Sequence, residues 1–285
     1  IGWNDRLKNG LGYSVRFMLS DAKTIIDSYP GNNTHSIDSY LEGHEIGEIW
    51  GFETIGIAKT DKEMQDHLNA VGGQDALGSR WAAGDIMYAD LNGDGEISNG
   101  ANTLADHGDL KIIGNNTPRY NYGITLDAAY KGFDFSVFFQ GIGKRDYWVS
   151  GAYFWGATGG MWQSAGFTEH WDFFRGEDNP LGANLNAYYP RPLFTSGKNM
   201  QTQSRYLQDA SYLRMKNIQL GYTLPKSITS KAGMQSVRVY VSGDNLATIS
   251  SMSKIFDPET IGGAWGDGKL YPLSKTISVG LNVNF

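Results

Sequence analysis

The 285-residue chain contains no cysteine. Disulfide frameworks, zinc-thiolate sites and thiol nucleophiles are therefore excluded. It also lacks a surplus of positive charge: 24 Lys and Arg stand against 30 Asp and Glu, a net charge of −6. A nucleic-acid groove needs a basic stripe, so no nucleic-acid partner is expected. No stretch approaches the roughly 18 consecutive apolar residues of a transmembrane helix. That excludes spanning helices and not membranes, because a transmembrane β-barrel leaves no such run. The opening residues, IGWNDRLKNG, show no methionine, basic n-region or apolar h-region, and read as mature or mid-chain sequence. There is no solenoid repeat and no low-complexity tract.

Glycine, by contrast, is abundant at 37, and aromatic residues make up 13%. That mixture favours short strands joined by turns and long polar loops. A hydrophobic fraction of 40% suffices for a core or an apolar outer band and argues against disorder.

The clearest signals have a period of two. In KTISVGLNVNF, Ile277, Val279, Leu281, Val283 and Phe285 alternate with Thr276, Ser278, Gly280, Asn282 and Asn284. SVRVYVSG sets Val237, Val239 and Val241 against Arg238, Tyr240 and Ser242. FDFSVFF, NYGITLDAAY, Tyr13 to Leu19 and Ile218 to Leu224 behave alike. Alternation over about ten residues suits a half-buried strand and equally a barrel strand crossing a bilayer. The non-apolar faces are rich in Ser, Thr, Asn, Gly and Tyr, as a wet lumen requires. Several strands begin or end in Tyr or Phe, as an interfacial girdle would. Pattern alone leaves a soluble β-sandwich open. Long connections over about 51–118 and 142–205 alternate with short turns, the asymmetry of outer-membrane barrels. The first holds a helical patch, TDKEMQDHLNAV, capped by Thr60 or Asp61 with Glu63 in its first turn.

One motif suggests a cation. In ADLNGDGEIS, Asp90, Asn92 and Asp94 fall at positions 1, 3 and 5 of a calcium loop, Gly95 permits the sharp turn and the Glu96 carbonyl serves position 7. Position 12, a bidentate Glu in an EF-hand, is here Ala101. Asp106 or Asp109 could fold back to close the shell, giving a structural Ca2+ site, with Mg2+ second. The alternative is a metal-free Asx-rich turn. A second constellation is aromatic: between Tyr147 and Phe174, Trp148, Trp155 and Trp162 are the foremost candidates for contact with a substrate or a partner. Catalysis finds no support. His44-Glu45 is no HExxH, there is no GxSxG, and GGAWGDG lacks a phosphate-loop lysine. Glu169, Asp172, Glu177 and Asp178 read as solvated loop charge rather than a glycosidase pair.

The order of segments resembles the C-terminal part of SusC/RagA-type TonB-dependent outer-membrane transporters of Bacteroidetes. The matching stretches are GEIWGFETIGIAKTDKEMQ, GDIMYADLNGDGEIS, KIIGNNTPRYNYGITLDAAYKGFDFSVFFQG, EHWDFFRGEDNP, YYPR, YLRMKNIQLGYTLPKSI, SVRVYVSGDNLATIS, FDPET and YPLSKTISVGLNVNF. They cover nearly the whole chain and end on a terminal Phe285, similar to the assembly signal of outer-membrane barrels. In that family an aspartate often follows the DxNxDG run closely, so NGANTLADHGD looks like an insertion.

The resemblance implies an all-β fold, an antiparallel transmembrane β-barrel of about 22 strands with long extracellular loops in the bacterial outer membrane. Residues 1–285 would be its C-terminal portion, since 22 strands need on the order of 650 residues. An N-terminal plug and the earlier strands are then expected outside these residues. The implied function is TonB-dependent import of oligosaccharides, or of peptides, without covalent chemistry. The implied partners are a SusD-like surface lipoprotein, the remaining barrel and plug, the TonB complex reached through the N-terminal part, the substrate and outer-membrane lipid. The rivals are a secreted, calcium-stabilised β-sandwich that binds glycans and a β-rich glycoside hydrolase.

Overall fold

The computed structural model describes residues 1–156, 166–262 and 270–285. Its strands are β1 (Gly2–Arg6), β2 (Gly12–Ser20), β3 (Glu48–Phe52), β4 (Thr54–Ile57), β5 (Ile86–Tyr88), β6 (Leu110–Asn115), β7 (Arg119–Tyr130), β8 (Phe133–Lys144), β9 (Asp146–Tyr147), β10 (Gln208–Asp209), β11 (Tyr212–Thr223), β12 (Ser236–Ser250) and β13 (Thr276–Asn284). Seven of them form one sheet in the order β1-β2-β7-β8-β11-β12-β13. Every neighbouring pair in it is antiparallel.

The register carries the alternation from strand to strand. Tyr13, Ala128, Phe135, Leu220, Val241 and Val279 lie in one cross-strand row. Val15, Leu126, Val137, Ile218, Gly243 and Ile277 form the next row on the same face. The row between them, on the other face, reads Ser14, Asp127, Ser136, Gln219, Ser242 and Ser278. One face is thus apolar across its width, and on β13 Ile277, Val279 and Leu281 are 74%, 79% and 62% exposed. The other face is polar and internally bonded. Asp127 accepts hydrogen bonds from Ser14 at 2.9 Å and Ser136 at 2.7 Å. Arg238 of β12 reaches Asp134 of β8 across the intervening β11. The bridge passes over Gly221, where a Cβ would come within 2.4 Å of the guanidinium.

One irregularity is itself informative. In YLRMKNIQL the apolar positions Met215 and Ile218 are three apart, which breaks the period. A bulge between Met215 and Asn217 absorbs the extra residue and returns Ile218 and Leu220 to the apolar face.

The connections divide by end. Residues 7–11, 131–132 and 224–235 are the short ones; Lys131 and Gly132 both have positive φ (47° and 89°), the form of a type I′ hairpin turn. At the opposite end run 21–118, 145–211 and 251–275. The first begins before residue 51 because EIWGF, as β3, pairs with β6 inside the connection rather than joining the large sheet. The second spans 145–211 because β8 extends to Lys144 and β11 starts only at Tyr212.

The buried core lies in these connections. Ile37, Phe52, Tyr88, Ile97, Phe154, Tyr206 and Phe256 belong to one cluster drawn from all three. Helix α1 (Asp61–Ala70) packs beside it through Met64, with Thr60 accepting from the Glu63 amide at 3.1 Å as its cap.

If the apolar face meets lipid, as the resemblance implies, a charge placed on it costs about 2–4 kcal/mol for Arg at the bilayer midplane. Val279→Arg in the full-length protein should lower unfolding stability in bilayers by that amount, whereas Ser278→Arg on the polar face should change it by less than about 1 kcal/mol. Urea titration in lipid vesicles measures both.

Candidate functional site

The three long connections meet as one folded body at the end of the sheet, and the described candidate residues lie in it. Its two larger parts are joined through a buried carboxylate. Asp85 is fully buried. It accepts from Arg191 through two nitrogens at 2.7 and 2.6 Å, from Lys198 at 2.8 Å, from Asn199 at 2.9 Å and from the Ala82 amide at 2.9 Å. Lys198, itself only 4% exposed, also donates to the carbonyls of Ser79 and Arg80 and lies 4.6 Å from the Trp81 ring centre. Asn199 accepts from the Ile86 amide, and Tyr88 donates to the Lys198 carbonyl at 2.7 Å. Burial pushes the Asp85 carboxyl up, but the bonds from Arg191, Lys198 and Asn199 outweigh it and leave its pKa below the usual carboxylate value. Lys198 is moved down, by burial first, with Asp85 acting against it. GDIMY and YYPR are legible as segments, but no sequence signal pairs Asp85 with Arg191 across 106 residues.

The DxNxDG segment is a chain of Asx turns. Asp90 accepts from the amides of Gly93 and Gly95 at 2.6 and 3.1 Å; Asn92 accepts from the Asp94 amide and donates to its carboxylate; Asp94 accepts from the Glu96 amide. Asp109 folds back onto the loop, accepting from the amides of Leu91 at 2.7 Å and Ser98 at 2.9 Å. Asp106 lies instead against Gly100 and Thr103. Ile97 is fully buried and fixes the loop to the core. Gly72 approaches so closely that a Cβ there would sit 1.7 Å from the Gly95 carbonyl oxygen. Among the described residues no three His, Asp or Glu side chains converge as a metal-binding group.

Of the tryptophans, Trp155 is 9% exposed and donates to the Val149 carbonyl at 3.0 Å. Trp148 packs against it with ring centres 5.8 Å apart. Trp162 lies outside the described residues. Trp155 borders a cavity of about 450 Å3 shared with Trp171, Phe173, Tyr189, Arg191 and Phe194. Trp171, Phe194 and Phe167 are the exposed rings there, at 59%, 54% and 40%. Exposure on a folded loop cannot be read from an aromatic-rich string; of the tryptophans the sequence singles out, Trp148 and Trp155 are packed.

A seven-stranded antiparallel wall with one apolar and one wet face, capped at one end by folded connections, is the architecture of a membrane β-barrel segment. The comparisons agree. The chain is 32% identical to TonB-dependent receptor P3 of Formosa agariphila over 277 residues, 91% of this chain and 24% of that protein. It is 29% identical to TonB-dependent receptor SusC of Bacteroides thetaiotaomicron over 210 residues, 70% of this chain and 17% of that one. The solved structure of the RagAB peptide transporter superposes with a TM-score of 0.65 over 100% of this chain and 28% of that chain, at 20% identity, which establishes the fold. No family model matches.

The chain belongs to the SusC/RagA-type TonB-dependent receptors of the bacterial outer membrane, and it spans about a quarter of the length of the first two curated relatives. The relatives are receptors and transporters rather than enzymes.

Removing the Asp85 charge leaves Lys198 buried without a counter-ion, which costs about 3–5 kcal/mol. Asp85→Asn in the full-length receptor should raise protease cleavage near 79–86 and 191–199 roughly tenfold or more, with the barrel intact. The same junction is acid-sensitive. Because the folded pKa of Asp85 lies below the unfolded value of about 3.9, its stabilisation is complete above about pH 4. It is lost as pH falls through the folded value, so cleavage should rise over that window.

Proposed function

We propose that this chain is part of the barrel wall and the external mouth of an active importer, energised through TonB, that takes an oligosaccharide across the outer membrane. The supporting observation is the two-faced sheet whose β1 and β13 each lack a neighbour on one side among the described residues. Unpaired strand edges are not tolerated in lipid, so the remaining strands and a plug come from elsewhere in the receptor. A SusD-like surface lipoprotein covers the folded connections as a lid. The likeness to a peptide transporter raises a peptide as the second class of cargo. Trp148, Trp155 and Trp162 are assigned to contact with lid or cargo; for Trp155 the support is its place on the 450 Å3 cavity.

Detergent extraction of the full-length receptor from its source membrane tests the assembly. A lipoprotein should co-purify in about equal amount, and deleting the receptor gene should abolish growth on one polymeric nutrient. Recovery of the receptor alone, with growth unchanged on every glycan and peptide source, would contradict the reading.

The DxNxDG loop is assigned a structural Ca2+, with Mg2+ second. Asp90, Asn92 and Asp94 supply oxygens, the Glu96 carbonyl a fourth, and Asp109, or less directly Asp106, supports the far side. The donor set fits a hard cation, since all its members are oxygen, and the loop is already folded and anchored by Ile97. Calcium should protect residues 90–109 from proteolysis and chelator should reverse this, whereas Asp94→Ala should abolish the difference. Equal cleavage with and without calcium would make the segment a metal-free turn.

A further inference from the structure

The charge of the chain is unevenly placed. Residues 21–118 hold seventeen Asp and Glu against five Lys and Arg, although the whole chain carries only −6. Everything outside that connection is therefore net positive. Within it lies a second cavity, of about 360 Å3, lined by residues that include Tyr29, Tyr40, Trp50, Asp38, His44 and Glu45. Tyr29 and Tyr40 meet edge to face, with centres 5.2 Å apart and planes at 90°, so they make two walls at right angles. Trp50 lines it as well, its ring centre 6.4 Å from that of His44 and 5.3 Å from that of His107.

The acidic groups around these rings are placed by specific partners. Glu48 is bound through both oxygens, by His44 at 2.8 Å and the Glu45 amide at 3.0 Å. Glu45 uses one oxygen for Lys23 at 2.5 Å, and Asp38 uses one for Asn102. Among the described residues the second oxygen of each has no hydrogen bond. The cavity thus combines three aromatic walls with two fixed carboxylates that can still accept.

From this geometry we infer that the cavity is a binding site for a cationic nitrogen group, the ammonium of a basic peptide side chain or of an amino sugar. Ring faces attract a cation through their quadrupole, the free carboxylate oxygens supply charge-assisted acceptors, and the acidic connection raises the local concentration of cations. An anionic ligand is repelled, and a neutral one gains the rings without the charge. The inference adds a ligand class to the import reading and depends on that reading only for its biological purpose.

The test is calorimetry on the full-length receptor in detergent at low salt, with trilysine and with a glucosamine trimer, each beside its N-acetylated form. Acetylation keeps the backbone of the probe and removes its charge. At least one free-amine probe should bind about tenfold or more tighter than its acetylated form. The double substitution Asp38→Asn/Glu45→Gln, and separately Tyr40→Ala at a half-exposed ring, should each weaken it about tenfold, while Trp171→Ala on the other cavity should not. Binding of trilysine alone assigns the group to a peptide; binding of the glucosamine trimer alone assigns it to an amino sugar. Equal affinity for free and acetylated forms, or affinity unchanged by both variants, overturns the inference. Transport is not measured, so failure of the import reading and failure of this site are separable.

Discussion

Within a hydrocarbon layer each backbone N–H and C=O must find a partner inside the protein, and the sheet is arranged around that requirement. The strands of the wall, apart from the short β1, have 9 to 15 residues, sufficient for the about 9–11 that a tilted crossing needs. Once the ladder is fixed, the period of two assigns every side chain to lipid or lumen, and a slip of one residue would invert the whole wall. The bulge at Lys216 follows from this, because without it Ile218 and Leu220 would face water and Gln219 lipid. The polar cross-strand bonds add a second register signal. Asp134 and Arg238 meet only if β8, β11 and β12 are aligned as they are and residue 221 has no side chain.

A wall of this kind has nothing to pack against on its lipid side and water or other protein on the lumen side, so it holds no core of its own. The core appears where the chain leaves the membrane. The three connections bury Phe52, Tyr88, Phe154, Tyr206 and Phe256 against one another. Hydrophobic burial is non-directional, however, and does not by itself fix how the two larger connections sit. Asp85 does so by gathering Arg191, Lys198 and Asn199 from one connection onto a carboxylate of the other. A buried ion pair is a weak source of net stability and a strong source of specificity here, since any misalignment leaves a charge unpaired in a dry interior. A mouth fixed in this way can present cavities of defined shape, whereas floppy loops could not.

The wall was legible in the sequence because its determinants are local. Strands β2, β7, β8, β12 and β13 stand out as alternating runs, and their faces follow from single residues such as Val279 and Ser278. The three-residue step in β11 was not legible as part of one strand, because a bulge needs neighbouring strands to define it. Nothing in EIWGF shows that it pairs, as β3, with β6 within the same connection. The site was less legible. Thr60 as a cap and Asp109 folding back on the DxNxDG loop are short-range features and could be anticipated. The Asp85 junction and the edge-to-face pair of Tyr29 and Tyr40 are set by tertiary packing, which leaves no periodic trace.

The claim on which the rest depends is that the two faces of this sheet meet different solvents. Because residues 1–285 contain no cysteine, single spin labels can be placed at Leu281 and Asn282 of β13, and at Val239 and Tyr240 of β12, in a cysteine-free full-length receptor reconstituted in lipid vesicles. Power-saturation measurements with oxygen and with a water-soluble nickel complex should alternate: high oxygen access at Leu281 and Val239, and oxygen access well below that at Asn282 and Tyr240. Equal nickel access at all four positions, or no difference between neighbours, would mean that the apolar face is not in lipid, and the chain would then be a soluble sheet rather than a membrane wall.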